Sequence, residues 1–367
     1  MTQLPRFDMP GGETVKVSVI DSTMRLSGLP VSSLLEPPIE GFDTLSPITT
    51  WSFLVESSTG KKALFDLGAP KDPFNHYAPS VVEMLTESGC GIHVQANVAD
   101  ILEENGVQPA EINSIIWSHH HFDHIGDVST FPASTELIVG PGFKDAFCPG
   151  YPANPTSPVR EVDFRGRSLR EINFGSDLVL GPFKAFDFFG DGSFYLLDTP
   201  GHAIGHLSGL ARTTTSPNTF ILMGGDLCHH GGELRPSPYF PLLPSLSDHL
   251  SLSDSLRLRL SSCPGSKVFN DINAKRGRTV SEPLFDPVLV FNKEQAMKTI
   301  KEAQRAEAQD NIFCLFAHDM SILGVVDTFP ETANDWKAKG WKEKAFWKFL
   351  NDLEVAVAEN VNDSAGL

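Results

Sequence analysis

The sequence predicts a mixed α/β fold, and three features carry that reading. A period-two apolar segment near the N-terminus reads as a half-buried strand. Helical spacing appears between later strand-like runs. Three separate apolar runs end in loops that open with histidine or aspartate, and strand ends are where mixed α/β folds gather ligand groups.

Taken in order, residues 15–20 (VKVSVI) alternate and form the first strand. Residues 28–47 are rich in proline, serine and glycine and read as a loop. Residues 51–56 and 62–66 are two strands around the turn 57–61, and Asp66 to Pro70 is a further turn. Val98, Ile101 and Leu102 recur at helical spacing until Asn105-Gly106 stops them. The strand 112–118 then runs into His119. In the second half, 218–223 ends at Gly224-Gly225-Asp226, and 312–317 ends at His318-Asp319.

A single domain is expected over residues 1–367, with two insertions. Residues 141–160 place Phe143, Phe147 and Tyr151 among prolines, and residues 235–266 open proline-rich before a Leu/Ser-rich helical segment. Proline-stiffened loops bearing aromatics suit the walls of an apolar pocket. Near 336–353, Trp341, Ala345 and Phe349 fall at helical spacing, so a C-terminal helix packed on the core is expected.

Composition narrows the function. With 41% hydrophobic and 20% charged residues the chain can bury a sizeable core. A net charge of −17 repels polyanions and anionic membrane surfaces, so nucleic acid and membrane are excluded as partners and a small-molecule substrate is expected. Its dense basic run, Lys275-Arg276-Gly277-Arg278, reads as a solvated loop. No segment approaches 18 uninterrupted apolar residues, and the first residues lack the basic and apolar blocks of a secretory signal. Cys90, Cys148, Cys228, Cys263 and Cys314 are widely spaced, odd in number and without a C-x-x-C pair, which fits a reducing, cytoplasmic setting.

Four of the chain's 12 histidines fall within residues 119–124, His-His-His-Phe-Asp-His. Protonated imidazoles repel one another, so this crowding points to a divalent cation, which binds neutral imidazole and carboxylate. In an extended stretch, positions 119, 121 and 123 share one side, a bend into a helix brings in His124, and His120 faces away. Further donors stand in Gly201-His202-Ala203-Ile204-Gly205-His206, at Asp226 and at His318. A structural zinc site is closed, four-coordinate and usually bears cysteine; a His/Asp set without cysteine points to an open, hydrolytic two-metal centre. Two divalent ions about 3.5–4 Å apart lower the pKa of a shared water towards about 7. Such a pair would supply an activated water for attack on a carbonyl carbon, and Asp123 could orient it; no G-x-S-x-G nucleophile elbow is present or required.

The order H-x-H-x-D-H, T-P-G-H-x-x-G-H, G-D and a late strand-end histidine resembles the metallo-β-lactamase superfamily over roughly residues 15–320. The resemblance implies an αβ/βα sandwich, two mixed β-sheets flanked by helices with metals at one edge. It implies His119, His121 and His206 on one ion, Asp123, His124 and His318 on the other, and Asp226 bridging, with zinc the expected metal and His202 structural. Asp123 together with Asp226 is similar to the N-acyl-homoserine lactonase branch, where a tyrosine follows the bridging aspartate by three residues. Here His229 takes that place, followed by His230, which keeps a hydrogen-bond or proton donor beside the reacting carbonyl. The function implied is opening of a neutral lactone or lactam. An acyl-thioester hydrolase of polyketide or glyoxalase II type is the alternative, although an anionic glutathione thioester calls for basic clusters, and the C-terminal part of this acidic chain shows none apart from residues 275–278. A mono-iron persulfide-dioxygenase-like oxygenase stands further off.

Overall fold

In the computed structural model, which describes residues 7–175, 177–242, 252–262 and 267–365, two six-stranded sheets stack face to face. The first contains Val15–Asp21, Trp51–Ser57, Lys62–Phe65, Ile112–Ile116, Glu136–Val139 and Leu169–Glu171, in spatial as in sequence order. Its first three strands pair antiparallel and the others parallel. Parallel pairing requires crossovers, and the helices Pro79–Ser88 and Val98–Glu104 lie in the one that joins Phe65 to Ile112. The second sheet is an antiparallel meander from Val179–Leu180 through Asn218–Met223. Ile312–Leu315 joins its edge in parallel after the helix Lys293–Glu307.

The alternation read from the sequence decides which side chains meet. Val15, Val17, Val19, Phe53, Val55, Phe65 and Ile116 point between the sheets, against Phe194, Leu196, Ile221, Met223 and Phe313 of the second sheet. Their neighbours Leu54, Leu64, Ile115 and Leu137 point the other way and pack with Leu85 and Leu102 of the outer helices. On the far side, Leu210, Phe220 and Leu222 lie beneath Ile300 and Ala303 of the helix 293–307. Each such side chain contributes roughly 1.5–3 kcal/mol of burial. The architecture is the αβ/βα sandwich.

A third cluster lies beside the sandwich. Leu34, Leu35 and Phe42 meet Val268, Phe269 and Phe285, and the C-terminal Phe349, Leu350, Leu353 and Val357 complete it. The C-terminal segment corrects one expectation. Instead of a single helix over 336–353, a short helix Trp341–Ala345 leads into a 3-10 segment Lys348–Leu353 and then the helix Glu354–Ala365. The aromatics explain the break: Trp336, Trp341 and Ala345 pack into the core between the sheets, whereas Trp347, Phe349 and Leu350 serve the third cluster. One straight stripe cannot face two cores.

The basic run 275–278 also differs from its reading as a solvated loop. Arg276 donates to the carbonyls of Ile272, Pro37 and Leu284, and Arg278 pairs with Asp286 at 2.6 Å. Part of the 235–266 segment, including Cys263, lies outside the described residues; Cys90, Cys148, Cys228 and Cys314 are free. Among the described residues no helix is long and apolar enough to cross a membrane.

Arg235 ties the layers together. Its buried guanidinium donates from Nε to Glu307 Oε1 at 2.8 Å and from Nη1 to the Phe346 carbonyl at 2.7 Å, and it lies over the Phe346 ring. Arg235→Ala leaves the buried Glu307 side chain without its ion-pair partner, so a loss of about 3–5 kcal/mol is expected, read as a lowered urea midpoint.

Candidate metal centre

Loops from both sheets meet at one edge of the sandwich. The strand Ile112–Ile116 delivers His119 and His121, and the one-turn helix Phe122–Ile125 swings Asp123 and His124 back beneath them. The second sheet sends in the turn after Phe194–Asp198, Asp226 after Asn218–Met223, and His318 after Ile312–Leu315. Backbone bonds lock the loops together: Leu207 N–H donates to Ser118 O, Ala317 N–H to Gly225 O and Trp51 N–H to Ala317 O, each at 2.9 Å. Gly225 has φ +56°, and a Cβ there would meet Ser118 at 2.9 Å. Only glycine admits that approach.

The Asp226 carboxylate is divided between two groups of imidazoles. Its Oδ2 lies 3.4 Å from His202 Nε2 and 3.7 Å from His119 Nε2. Its Oδ1 lies 3.2 Å from His124 Nε2 and 3.3 Å from His318 Nε2. His202 Nε2 is also 3.1 Å from His119 Nε2 and 3.0 Å from His121 Nδ1, and His318 Nε2 is 3.4 Å from Asp123 Oδ2. Two donor groups result, His119, His121, His202 and Asp226 in one, and Asp123, His124 and His318 in the other.

His202 and His206 therefore exchange the places expected of them. His206 donates from Nδ1 to the Thr199 carbonyl at 2.7 Å and accepts the Asp226 N–H on Nε2 at 3.0 Å. Neither nitrogen retains a lone pair for a metal. His202 is carried on the turn at Gly201, whose φ is +130° and whose missing Cβ makes room for Ala296.

The far ring nitrogens are held in ways the sequence did not reveal. Asp66 Oδ2 lies 2.8 Å from His124 Nδ1, and Oδ1 accepts the Ser118 N–H at 2.7 Å. His318 Nδ1 donates to the Thr49 carbonyl at 2.7 Å, which turns its Nε2 towards the two aspartates of the cluster. Asp66 follows an apolar strand, as Asp226 does, and that shared signal could have found it. His230 accepts the Gly232 N–H on Nδ1 and caps the helix Gly231–Leu234, so only His229 of this pair faces the cluster. His229 Nε2 is 3.6 Å from Asp226 Oδ2, and neither ring nitrogen has a hydrogen-bond partner.

Electrostatics suit a cation. Burial, reinforced by neighbouring imidazoles, holds His119 well below its ordinary pKa; burial does the same to His202 and brings His121 down to about 4. These rings are neutral donors. Burial would lower His124 and His318 too, but Asp226 and the adjacent carboxylates outweigh it, raising His124 well above the usual range and His318 to about 9. The second group is thus a place where positive charge is stabilised. Buried His124 Nε2 and His318 Nε2 both face Asp226 Oδ1, at 3.2 and 3.3 Å, a grouping of donors that suits a shared cation.

Two cavities open on the cluster. One, about 200 Å³, is walled by Leu26, Leu29, Leu34, Ile48, Met84 and Leu85 and reaches Asp123, Asp226, His229 and His318. The other, about 340 Å³, is lined by His120, Phe147, Ile204 and Phe291 and reaches His121 and His202. A larger cavity of about 490 Å³ lies beyond Glu233 and does not touch the cluster.

Residues 45–262 match the metallo-beta-lactamase superfamily. The chain belongs to this superfamily. Gamma-lactamase FDB1 of Fusarium pseudograminearum is 44% identical to this superfamily member over 366 residues, 95% of this chain and 85% of that protein. Gamma-lactamase MBL2 of Gibberella moniliformis is 49% identical over 226 residues, 61% of this chain and 91% of that protein. Among solved structures, B. thuringiensis AiiA with N-decanoyl-L-homoserine bound at its active site matches with a TM-score of 0.55 at 18% identity, over 88% of this chain and 100% of that one. Superfamily membership together with the likeness to relatives described as gamma-lactamases supports a metal-dependent hydrolase.

His120, the one histidine of the run turned from the cluster, stacks on Phe147 with ring centroids 4.0 Å apart. His120→Ala is expected to cost about 0.5–1.5 kcal/mol of stability, read by thermal melting, with metal content unchanged by elemental analysis.

Proposed function

We propose that this protein binds two divalent ions and opens a neutral cyclic amide or ester, with the lactam class supported by relatives described as gamma-lactamases. The observation that carries the reading is Asp226, whose two oxygens face different imidazole groups. His119, His121 and His202 would hold one ion, Asp123, His124 and His318 the other, with Asp226 shared. An all-imidazole and carboxylate set without cysteine favours zinc in an open, catalytic site. When bound, the pair supplies Lewis acidity and an activated water.

The protein's own residues do the rest. Asp123, 3.4 Å from His318 Nε2, presents a carboxylate at the cavity floor that can orient the attacking water and hold its proton. His229 lines the same cavity, its Nε2 3.6 Å from Asp226 Oδ2 and its Nδ1 3.6 Å from Glu233 Oε1, placed to hydrogen-bond the reacting carbonyl oxygen or to hand a proton to the departing nitrogen or oxygen. Ring opening gives a hydroxy acid or an amino acid. Aliphatic walls keep bulk water from the carbonyl and favour an uncharged substrate. Among the described residues lining these two cavities there is no lysine or arginine, which counts against an anionic thioester. Four free cysteines support the cytoplasmic setting.

Reconstituted protein is expected to hold two zinc ions per chain and to release acid from a panel of γ-lactams and γ-lactones. Inactivity across that panel, or a single iron, would overturn the proposal. Asp226→Asn should abolish turnover while circular dichroism stays native. His202→Ala should lose about one metal per chain, whereas His206→Gln, able to replace both hydrogen bonds of that ring, should keep both; the reverse pattern by elemental analysis would reinstate His206 as the ligand.

A further inference from the structure

A short strap, residues 288–291, crosses the mouth of the cluster. On this strongly acidic protein it is oddly apolar: Val288, Leu289 and Phe291 are 37%, 51% and 69% exposed. Apolar side chains grouped at the rim of a concave site mark a contact surface. The strap is fixed at both ends. Asp286–Pro287 pairs antiparallel with Leu35–Glu36, and the Val288 N–H donates to the Leu34 carbonyl at 2.8 Å. Three residues on, the Phe291 N–H donates to the carbonyl of His202 at 2.8 Å, and Asn292 N–H to that of Gly201 at 2.9 Å. Asn292 then caps the helix Lys293–Glu307 through Gln295 N–H. The strap is registered to the cluster through the backbone of one of its donors.

Leu289 and His121 are the two residues common to both cavities. His121 belongs to the cluster, and Leu289 stands opposite it on the strap. Leu289 thus divides the space over the cluster into an aliphatic lobe, on the side of Asp123 and His318, and an aromatic lobe, on the side of His202. We propose that Leu289 is the specificity-determining residue of the site, restricting it to ring substrates whose apolar substituent lies on one side of the scissile bond. This rests on the ring-opening function above. A ring with an apolar group on one side of the scissile bond alone is accommodated by a single lobe. A ring that carries a second group beside the leaving nitrogen or oxygen must extend into both lobes, and Leu289 lies in its way.

The test compares wild type with Leu289→Ala, both zinc-loaded, on two rings of whichever class the wild type opens. One is an α-alkyl γ-lactone or γ-lactam; the other bears a further alkyl group on the carbon attached to the ring oxygen or nitrogen. Trimming Leu289 should raise kcat/KM for the doubly substituted ring relative to the singly substituted one by on the order of tenfold, with metal content unchanged. Leu289→Phe should shift the ratio the other way. A ratio within about twofold of wild type in both variants, read against that same scale, overturns the assignment to Leu289 and leaves the hydrolase reading intact. A wild-type enzyme that opens neither ring class overturns the hydrolase reading and this inference with it.

Discussion

A buried carboxylate held between two sets of imidazoles is the constraint on which the rest of this structure depends. Taking Asp226 out of water is costly unless positive charge or hydrogen bonds meet it. Burial works to raise its pKa, yet His124 and His318 hold it well below the carboxylate range. The arrangement requires donors from both sheets at the same edge, and several local features follow from that requirement. Gly225 lets the Asp226 loop come against Ser118. Asp66, at φ +58°, adopts a left-handed conformation that aspartate tolerates better than most residues. From there one carboxylate reaches both the Ser118 N–H and His124.

Much of this was legible in the sequence because periodicity and chemistry agree. Alternating apolar residues at 15–20, the strand-like run at 51–56, and the apolar runs at 112–118, 218–223 and 312–317 mark strands, and the last three run into the His and Asp donors. The choice between His202 and His206 was not legible. Both follow glycine within one turn, and residue type alone cannot tell which ring the Thr199 carbonyl and the Asp226 N–H will occupy. That outcome belongs to tertiary geometry. Asp66 was hidden for a related reason, since D-L-G after a strand reads equally well as an ordinary turn. The break in the C-terminal helix was equally hidden, because spacing shows that aromatics share a stripe, not that two separate cores divide them.

The division of labour between core and periphery follows the same lines. Sheets and their loops supply the donors, whereas the walls around them come from elsewhere: Leu29 and Leu34 from the N-terminal loop, Met84 and Leu85 from the helix Pro79–Ser88, Phe147 from the segment 141–160, and Leu289 from the strap. The third hydrophobic cluster anchors Leu34 and, through Leu284 and Phe285, the chain that leads into the strap. Changes in these walls leave the donor set untouched, the general pattern by which one scaffold accommodates many substrates.

The stitching of Leu207 to Ser118 and of Ala317 to Gly225 has a thermodynamic corollary. A cation gripped by side chains from opposing halves of the sandwich acts as a rivet. It binds the native arrangement and has little purchase on the unravelled chain, so occupancy adds to the free energy of folding in proportion to the logarithm of free ion concentration. Metal supply would then bear on the stability of the polypeptide as well as on its activity.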